Sequence, residues 1–511
     1  MEQVVSDVRE RLPQYNIGDL HHHLQQFQLS HGLAVLGNLS ADFWRRQETW
    51  RYFNNEAFSE WQLSFLAQEL IRVGSDVAPH QLNRHAIVQA MRLANGLRDY
   101  FQLHDRGTTE KRLDLRRSFM YRTANEQFGP QIGRRYLIPR HVSLYEILAR
   151  TIPRPEEPDL AAEFETACGL TILDFVKIGF AIMSLVTAAN KPNFVLGNLT
   201  GSKVTTLRDV LIREKLESFL EATSLSVDTF RAKLAEEGTP PRGLEKHWFN
   251  PLWRYPIVST PSGYIVPSVW LLVQRFTSGI YFDFLERRLG NQQAIREFTS
   301  LFGRIFEAHV GEELACTFHP GELFPQRQYM RGAWAGPDWT IVEGRKATLI
   351  ECKTSRLTKL ERERAEISVI RKRLQQDIIP AIKLFPTKAE HIRHRVNGLD
   401  NWPEIDDFEF VVVTLDPWWP ELLTKEIIAE ELRADSAENI RYHLVWGEQL
   451  EHLGCFREKT TIFDLLRQRW NLEADCDTRT YLFEEAKRLG IKAGSRRLDR
   501  LGEEFFRGIV S

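Results

Sequence analysis

Apolar residues recur at steps of three and four through most of the first 150 residues, which is the spacing of one face of an amphipathic helix. The same pattern continues through residues 160–189 and 206–237. Stretches rich in proline or glycine at 152–159 and 238–243 interrupt it, because proline cannot continue a helix. The pattern therefore predicts a mostly α-helical N-terminal region over residues 1–240, with a sub-boundary near 152–159.

The pattern changes after residue 241. Short segments of alternating apolar residues occur at 339–342 and 347–350, and a β-branched apolar run at 408–415 has the composition of a buried strand. Helical periodicity at 292–317 and 357–384 surrounds these strands. We therefore expect an α+β fold class, in which residues 241–511 form an α/β domain with a mixed central sheet and a core at about 295–420.

The two alternating segments flank a polar, glycine-containing connection at 343–346, which is typical of a hairpin turn. Asp338 opens the first strand, and Glu351 and Lys353 end the second strand on one face, because side chains alternate along a strand. Cys352 lies between them and points to the other face. Antiparallel pairing would bring Asp338 near Glu351 and Lys353, so the sequence predicts two carboxylates and an ammonium group on one patch.

Such a patch suits a Mg²⁺ ion, which prefers oxygen ligands and retains several of its waters. A neighbouring lysine can orient or deprotonate an attacking water and can neutralise the charge that builds on a phosphate. The residue types in this pattern therefore predict metal-dependent hydrolysis of a phosphodiester.

Pro337-Asp338, then twelve residues, then Glu351-Cys352-Lys353 resembles the signature of the PD-(D/E)XK nuclease superfamily, which has the restriction-endonuclease-like fold. The resemblance covers about residues 295–420. It implies that Asp338 and Glu351 bind a metal ion, Mg²⁺ or Mn²⁺, and that Lys353 assists the attacking water. It also implies that Cys352 contributes its main-chain carbonyl to the metal.

The resemblance implies further residues on two helices. Glu307 stands where members of the superfamily often carry a glutamate before the hairpin, although Glu312 and Glu313 on the same predicted helix leave alternatives open. Gln375 or Gln376 matches the glutamine that is often present on the helix after the last motif residue. The tyrosine that commonly follows that glutamine is absent.

The net charge of the 511-residue chain is −2, which argues against a protein that coats nucleic acid non-specifically. Contacts to phosphate must then come from local basic groups, and one group follows the hairpin. A second basic group at 388–395 contains Lys388. A solvated helix face is the alternative interpretation of both groups. The candidate nucleic-acid contacts of the first group are Arg356, Lys359, Arg371, Lys372 and Arg373.

Five cysteines form no CxxC pair and no zinc-ligand spacing, which favours a reduced, cytoplasmic protein. The first residues lack the basic and apolar regions of a signal peptide. The most apolar run, at 178–189, is shorter than the roughly 20 residues that span a bilayer. We therefore expect a buried helix there and no membrane association.

The leading functional hypothesis is a Mg²⁺-dependent endonuclease, with DNA favoured as the substrate. Its layout resembles antiviral or toxin-like effectors, which implies that the helical region responds to a phage or host protein trigger. Double-strand cutting in the superfamily often uses two active sites, so the resemblance also allows a homodimer. Two alternatives remain: an endonuclease of RNA such as transfer RNA, and a catalytically inactive nuclease fold that acts as a binding or scaffold protein.

Overall fold

The computed structural model describes the chain at 15–47, 50–53, 56–104, 108–128, 134–188, 191–200, 210–471 and 477–507. In these ranges helices predominate before residue 240, and a larger sheet follows it, as an α+β chain with a helical N-terminal region requires. The fold class predicted from the hydrophobic pattern is therefore confirmed.

The N-terminal region consists of helices that pack through the apolar faces expected from the sequence. A two-stranded antiparallel hairpin of β1 (Trp50–Phe53) and β2 (Glu56–Ser59) precedes the third helix. The seventh helix runs on into a π-helical segment, Ser143–Leu148, and a last turn, Ala149–Thr151. The first seven helices are α1 (Ile17–Leu24), α2 (Leu29–Arg46), α3 (Glu60–Val73), α4 (Arg84–Asn95), α5 (Tyr100–His104), α6 (Thr109–Phe128) and α7 (Arg134–Val142).

Helices α8 (Leu160–Cys168) and α9 (Ile172–Ala188) contain the most apolar part of the chain. Within the described ranges no single helix is long and apolar enough to cross a membrane, and these two pass that test only as a pair bent by 56°. Ile178 and Ile182 on α9 are fully buried in the main hydrophobic core of the protein. The prediction of a buried helix in this stretch is therefore confirmed.

A small four-stranded sheet joins residues from both sides of position 240. Its strand order is β3 (Asn193–Phe194), β6 (Gly263–Ile265), β5 (Ile257–Thr260) and β4 (Ser224–Ser226). Helices α10 (Arg213–Thr223) and α11 (Val227–Glu236) flank β4. The predicted boundary at 240 therefore falls within shared structure, because strand pairing crosses it.

The larger sheet has five strands and carries the hairpin predicted from the sequence. Its order is β13 (His443–Trp446), β12 (Asp407–Thr414), β11 (Lys346–Lys353), β10 (Trp339–Glu343) and β7 (Leu323–Pro325). β7, β10 and β11 are antiparallel, whereas β11, β12 and β13 are parallel, so the sheet is mixed. A separate ribbon, β8 (Gln328–Tyr329) with β9 (Trp334–Ala335), leaves the sheet between β7 and β10.

Side chains from opposite faces of this sheet enter two different hydrophobic cores. Ile350 packs on the same side as helix α14 (Gln292–Ala315), which follows α12 (Val269–Arg275) and α13 (Gly279–Glu286). Leu349, one residue earlier, packs on the other side with α17 (Ile379–Arg393). Both faces of β11 are therefore covered, as expected for a strand with a parallel neighbour.

The helix predicted at 357–384 is broken into shorter pieces. These are α15 (Lys359–Arg364), α16 (Ile367–Arg373), a π-helical turn at Leu374–Ile378 and α17. Ala365, with φ of 49°, ends α15 in a left-handed conformation that a continuous helix cannot accommodate. The remaining helices are α18 (Glu421–Ala434), α19 (Gly447–Leu453), α20 (Ile462–Asn471), α21 (Thr478–Leu489) and α22 (Arg496–Phe506).

A buried ion pair joins the N-terminal region to the C-terminal part. Arg140 on α7 donates from Nη2 to Oε2 of Glu451 on α19 at 2.7 Å, and its Nε pairs with the other carboxylate oxygen. Both side chains are almost fully buried. Burial alone would raise the pKa of Glu451, but Arg140 outweighs burial and lowers this pKa to about 2.

We expect Arg140→Met to lower the free energy of unfolding by about 3–5 kcal/mol, because Glu451 would keep its charge in the interior without a counterion. The double variant Arg140→Met/Glu451→Leu should regain most of that loss. Denaturant unfolding of the purified variants measures both values. Arg496→Met is the matched control, since the Arg496–Glu458 pair is largely exposed and should contribute less than about 1 kcal/mol. Equal losses in Arg140→Met and the control would contradict the role of the buried pair.

Candidate active site

Asp338 lies immediately before β10 and is held from two sides. Its Oδ2 accepts a hydrogen bond of 2.7 Å from the backbone N–H of Cys352 on β11. Its Oδ1 accepts one of 3.0 Å from the side-chain amide of Gln326, which follows β7. Only 8% of Asp338 is exposed. The carboxylate is therefore fixed at the open end of the β10–β11 hairpin.

The next residue, Trp339, connects this end of the hairpin to helix α14. Its indole N–H donates to the backbone carbonyl of Glu307 at 2.9 Å. The ring fits against the helix because position 311 is glycine, where a Cβ atom would lie 2.0 Å from the indole. Gly311 thus permits the close approach that brings Glu307 to the hairpin.

Glu351 and Lys353 lie on one face of β11, as the alternation of side chains predicts. The Nζ of Lys353 is 3.2 Å from Oε2 of Glu351. Glu351 is only 5% exposed. The structure therefore brings Asp338, Glu351 and Lys353 together at the end of the hairpin, while their catalytic roles stay predictions.

Lys388 on α17 also belongs to this cluster, and the sequence analysis did not place it there. It is 6% exposed, and its Nζ forms an ion pair with Oε1 of Glu351 and donates to the backbone carbonyl of Gly336 at 3.0 Å. A signal for this position exists in the sequence. Lys388 falls on the apolar stripe of α17, three residues after Phe385 and four before Ile392, so it faces the sheet rather than solvent.

Glu307 on α14 is half-buried and is electrostatically coupled to the same carboxylates. Burial, followed by repulsion from Asp338 and Glu351, raises the pKa of Glu307 to about 7. The two alternatives on this helix have other partners. Glu312 forms an ion pair with Arg497, and Glu313 accepts hydrogen bonds from Arg497 and Ser495. Glu307 is therefore the glutamate of α14 that the fold brings to the cluster.

The cluster concentrates negative charge in a place with little access to water. Burial and the neighbouring carboxylate of Glu351 raise the pKa of Asp338 to about 6, despite the hydrogen bond from Cys352. For Lys353, burial lowers the pKa, but attraction to Glu351 and Asp338 outweighs burial and raises it above the ordinary value. Lys353 is therefore a fixed positive charge at neutral pH.

Cys352 contributes main-chain atoms to this arrangement. Its side chain packs against the hydrophobic core, and burial raises the pKa of its thiol well above the usual range. The thiol is therefore neutral and is not a nucleophile. The main-chain N–H of Cys352 binds Asp338, and the predicted role of its carbonyl toward a metal stays a prediction.

The predicted glutamines do not join the cluster. Gln375 is exposed and donates to Glu431 on α18 at 2.7 Å, and Gln376 is exposed. In the described part of the chain no hydrogen bond links either amide to Asp338 or Glu351. Both residues lie in the π-helical turn at 374–378, and the glutamine role implied by the superfamily pattern stays a prediction.

Most of the predicted nucleic-acid contacts are occupied by partners within the protein. Arg356 is buried, pairs with Asp416 at 3.2 Å and stacks over Tyr281, so the prediction that it contacts phosphate is wrong for this structure. Arg371 pairs with Glu430 and Glu431, and Arg373 lies 3.4 Å from Glu361. Lys372 is exposed, whereas the side chain of Lys359 lies outside the described residues.

The donor set fits a hard divalent cation. Asp338 and Glu351 offer carboxylate oxygens, and two carboxylates suffice for Mg²⁺ because this ion retains several waters. Burial first, and repulsion between the carboxylates second, raise the pKa values of Asp338 and Glu307, and a bound cation would favour the charged form of both groups. Within the described ranges, no group of three or more His, Cys, Asp or Glu side chains could hold a metal ion by itself. Water or main-chain oxygens would therefore complete the coordination.

No protein family model matches the chain, and no curated protein or solved structure matches it either. The resemblance to PD-(D/E)XK nucleases consequently stays a prediction from the motif. The functional interpretation depends on the site residues described above and on their geometry.

We expect the free energy of unfolding to depend on pH because of the crowded carboxylates. Because the pKa of Glu307 in the folded state lies above its ordinary 4.5, this residue favours folding at low pH, and that contribution is lost as pH rises through about 7. In EDTA, the free energy of unfolding of Glu307→Gln should therefore rise, relative to that of the unsubstituted protein, by on the order of 1 kcal/mol between about pH 4 and pH 8. Partial exposure of Glu307 keeps this difference below that of a fully buried group.

Denaturant unfolding across that pH range measures the difference. Glu297→Gln, an exposed glutamate on the same helix, is the matched control. A pH-independent difference between Glu307→Gln and the unsubstituted protein would contradict the crowding of carboxylates.

Proposed function

We propose that the protein is a divalent-metal-dependent endonuclease that hydrolyses phosphodiester bonds of nucleic acid. The observation that carries the proposal is the convergence of Asp338, Glu351 and Lys353 at one end of the hairpin, with Glu307 beside them. Two carboxylates and an ammonium group in this order match both the chemistry of metal-assisted hydrolysis and the superfamily motif.

Asp338 and Glu351 would hold the Mg²⁺ or Mn²⁺ ion, together with the main-chain carbonyl of Cys352. A bound divalent ion supplies Lewis-acid polarisation of the scissile phosphate and a more acidic water. The hydrogen bonds from Cys352 and Gln326 keep the Asp338 carboxylate in one orientation before any ligand arrives. This preorganisation supports a catalytic role, because an active site loses rate when its groups must reorganise.

Lys353 and Glu307 would have different roles in the hydrolysis. The raised pKa of Lys353 keeps its Nζ protonated, which suits stabilisation of the negative charge that develops on the phosphate rather than acceptance of a proton. The pKa of the Glu307 carboxyl group is about 7, and a pKa near the operating pH suits a group that accepts and releases a proton. We therefore assign proton acceptance from the attacking water to the Glu307 carboxylate.

DNA is the favoured substrate, and an RNA such as transfer RNA is the alternative, since both present the same phosphodiester group. We also propose an antiviral or toxin-like role, in which the helical region couples a phage or host protein to the nuclease. The support for this role is the layout of the chain and the motif resemblance. The buried Arg140–Glu451 pair provides direct contact between the helical region and the nuclease part.

A scaffold protein with an inactive nuclease fold is the second candidate. The observation that favours it is the saturation of the carboxylates by groups of the protein itself. Each oxygen of Glu351 contacts an ammonium group, from Lys353 or Lys388, and each oxygen of Asp338 accepts a hydrogen bond. In such a protein the lysines would replace the metal permanently.

Cleavage assays decide between the two candidates. We expect the purified protein to cleave plasmid DNA, linear DNA or total RNA in Mg²⁺ and to lose this activity in EDTA. Asp338→Asn, Glu351→Gln and Lys353→Met should each reduce the rate at least about 100-fold, because each removes a metal ligand or charge stabilisation. Lys487→Ala, at an exposed lysine on α21 outside the cluster, should cleave like the unsubstituted protein.

Absence of EDTA-sensitive cleavage of all three substrates would overturn the proposal. If Asp338→Ala/Lys353→Ala retained the biological effect of the protein, the scaffold interpretation would replace it.

A further inference from the structure

A β-ribbon at residues 326–336, here called the arginine ribbon, starts and ends at the candidate active site. Its stem is bonded to the hairpin: the N–H of Gln326 donates to the carbonyl of Asp338 at 2.9 Å, and the N–H of Gly336 donates to the carbonyl of Arg327 at 2.8 Å. The side-chain amide of Gln326 also donates to the Asp338 carboxylate. A molecule that contacts the stem of the arginine ribbon therefore lies near Asp338.

Helix α17 supports the ribbon from one side. The hydroxyl of Tyr329 lies 3.0 Å from Nδ1 of His391, and the ring of Trp334 meets the same imidazole edge-on at 4.8 Å between centroids. At the tip, the N–H of Met330 donates to the carbonyl of Asn397 at 2.9 Å. The ribbon is therefore a fixed part of the site and not an unsupported loop.

The ribbon also carries exposed positive charge. Arg327, immediately before the first strand, and Gln328 are exposed, as are Arg331 and Gly332 at the tip. Within the described part of the chain, no ion pair, hydrogen bond or ring contact engages the side chain of Arg327 or Arg331. This distinguishes them from Arg371 and Arg373, which are paired with glutamates. Free guanidinium groups beside a site for phosphodiesters favour contact with a polyanion.

We infer that the arginine ribbon is the surface that engages duplex DNA, with Arg331 at its tip in the major groove and Arg327 near the scissile strand. This inference rests on the proposed nuclease function. The major groove of B-form DNA admits a two-stranded β-ribbon, whereas the deep and narrow major groove of A-form RNA does not. The motif leaves DNA and RNA open as substrates, and the shape of this surface favours double-stranded DNA.

The dimensions of the ribbon agree with that placement. Four residues separate the stem at Gln326 from Arg331 at the tip. Five steps of about 3.3 Å give a reach of at most roughly 16 Å, which exceeds the depth of the major groove, about 8.5 Å. A ribbon inserted in the groove would thus leave a bordering phosphate strand close to Asp338.

The test compares binding by full-length Arg327→Ala/Arg331→Ala and by the unsubstituted protein. Lys487→Ala, on α21, is the matched control for loss of an exposed cation. Fluorescence anisotropy in EDTA measures binding to labelled duplex DNA of several helical turns, to single-stranded DNA and to duplex RNA. EDTA separates binding from the proposed cleavage. Thermal melting of each variant verifies its fold, which these exposed side chains should not affect.

We expect the double variant to bind duplex DNA at least about tenfold more weakly at low salt. The slope of log K, the binding constant, against the logarithm of the salt concentration should be shallower by up to about 2. Each lost phosphate contact removes about 0.9 from this slope. Lys487→Ala should retain the affinity and slope of the unsubstituted protein. The unsubstituted protein should prefer duplex DNA to duplex RNA.

Several outcomes would overturn the inference. These are unchanged duplex binding by the double variant, an equal loss in Lys487→Ala, a preference for duplex RNA or single strands, or no binding of duplex DNA by the unsubstituted protein. Failure of the nuclease proposal is distinct from these results: the ribbon would still bind duplex DNA in EDTA, while no DNA would be cleaved in Mg²⁺.

Discussion

The hydrogen bond from the backbone N–H of Cys352 to the Asp338 carboxylate is the contact on which the candidate site depends. It exists because β10 and β11 pair antiparallel with Trp339 opposite Ile350. A shift of one residue in that register would turn Glu351 and Lys353 to the opposite face of the sheet. The register is in turn fixed by burial on both faces of β11, between the core of α14 and the core of α17. Packing of the whole C-terminal part thus holds the site together.

The same packing creates the electrostatic character of the site. Glu307, Asp338 and Glu351 are brought into a partly dry region. Lys353 and Lys388 pair with Glu351, and Lys353 and Arg304 partly offset the rise in the pKa of Glu307. The pKa values of Glu307 and Asp338 are nevertheless raised, chiefly by burial, and clustered carboxyl groups with raised pKa values are typical of functional sites. This electrostatic character supports the proposed hydrolysis.

Helix α14 connects this site to the N-terminal region and to helix α22. Beyond Glu307, the Nδ1 of His309 lies 3.2 Å from the hydroxyl of Ser143 in the π-helical segment, and Glu313 accepts a hydrogen bond of 2.9 Å from Arg497 on α22. Contacts with the N-terminal region and with the last helix therefore fix the position of the helix that carries Glu307. The N-terminal half is part of the environment of the site, and its helices share a core with the large sheet.

The sequence by itself determined the hairpin, the common face of Glu351 and Lys353, the mixed sheet and the predominance of helix before residue 240. These features follow from side-chain periodicity and turn composition, which are local properties of the backbone. Only the tertiary structure decided that Lys388 binds Glu351, 37 residues away in the chain, and that Arg371 is paired with Glu430, 59 residues away. The periodicity of a helix shows which face a charge occupies, but the packing of distant helices on the sheet selects its partner. Acidic partners within the protein occupy most of the arginines that were predicted to contact nucleic acid, whereas Arg327 and Arg331 are exposed at the site.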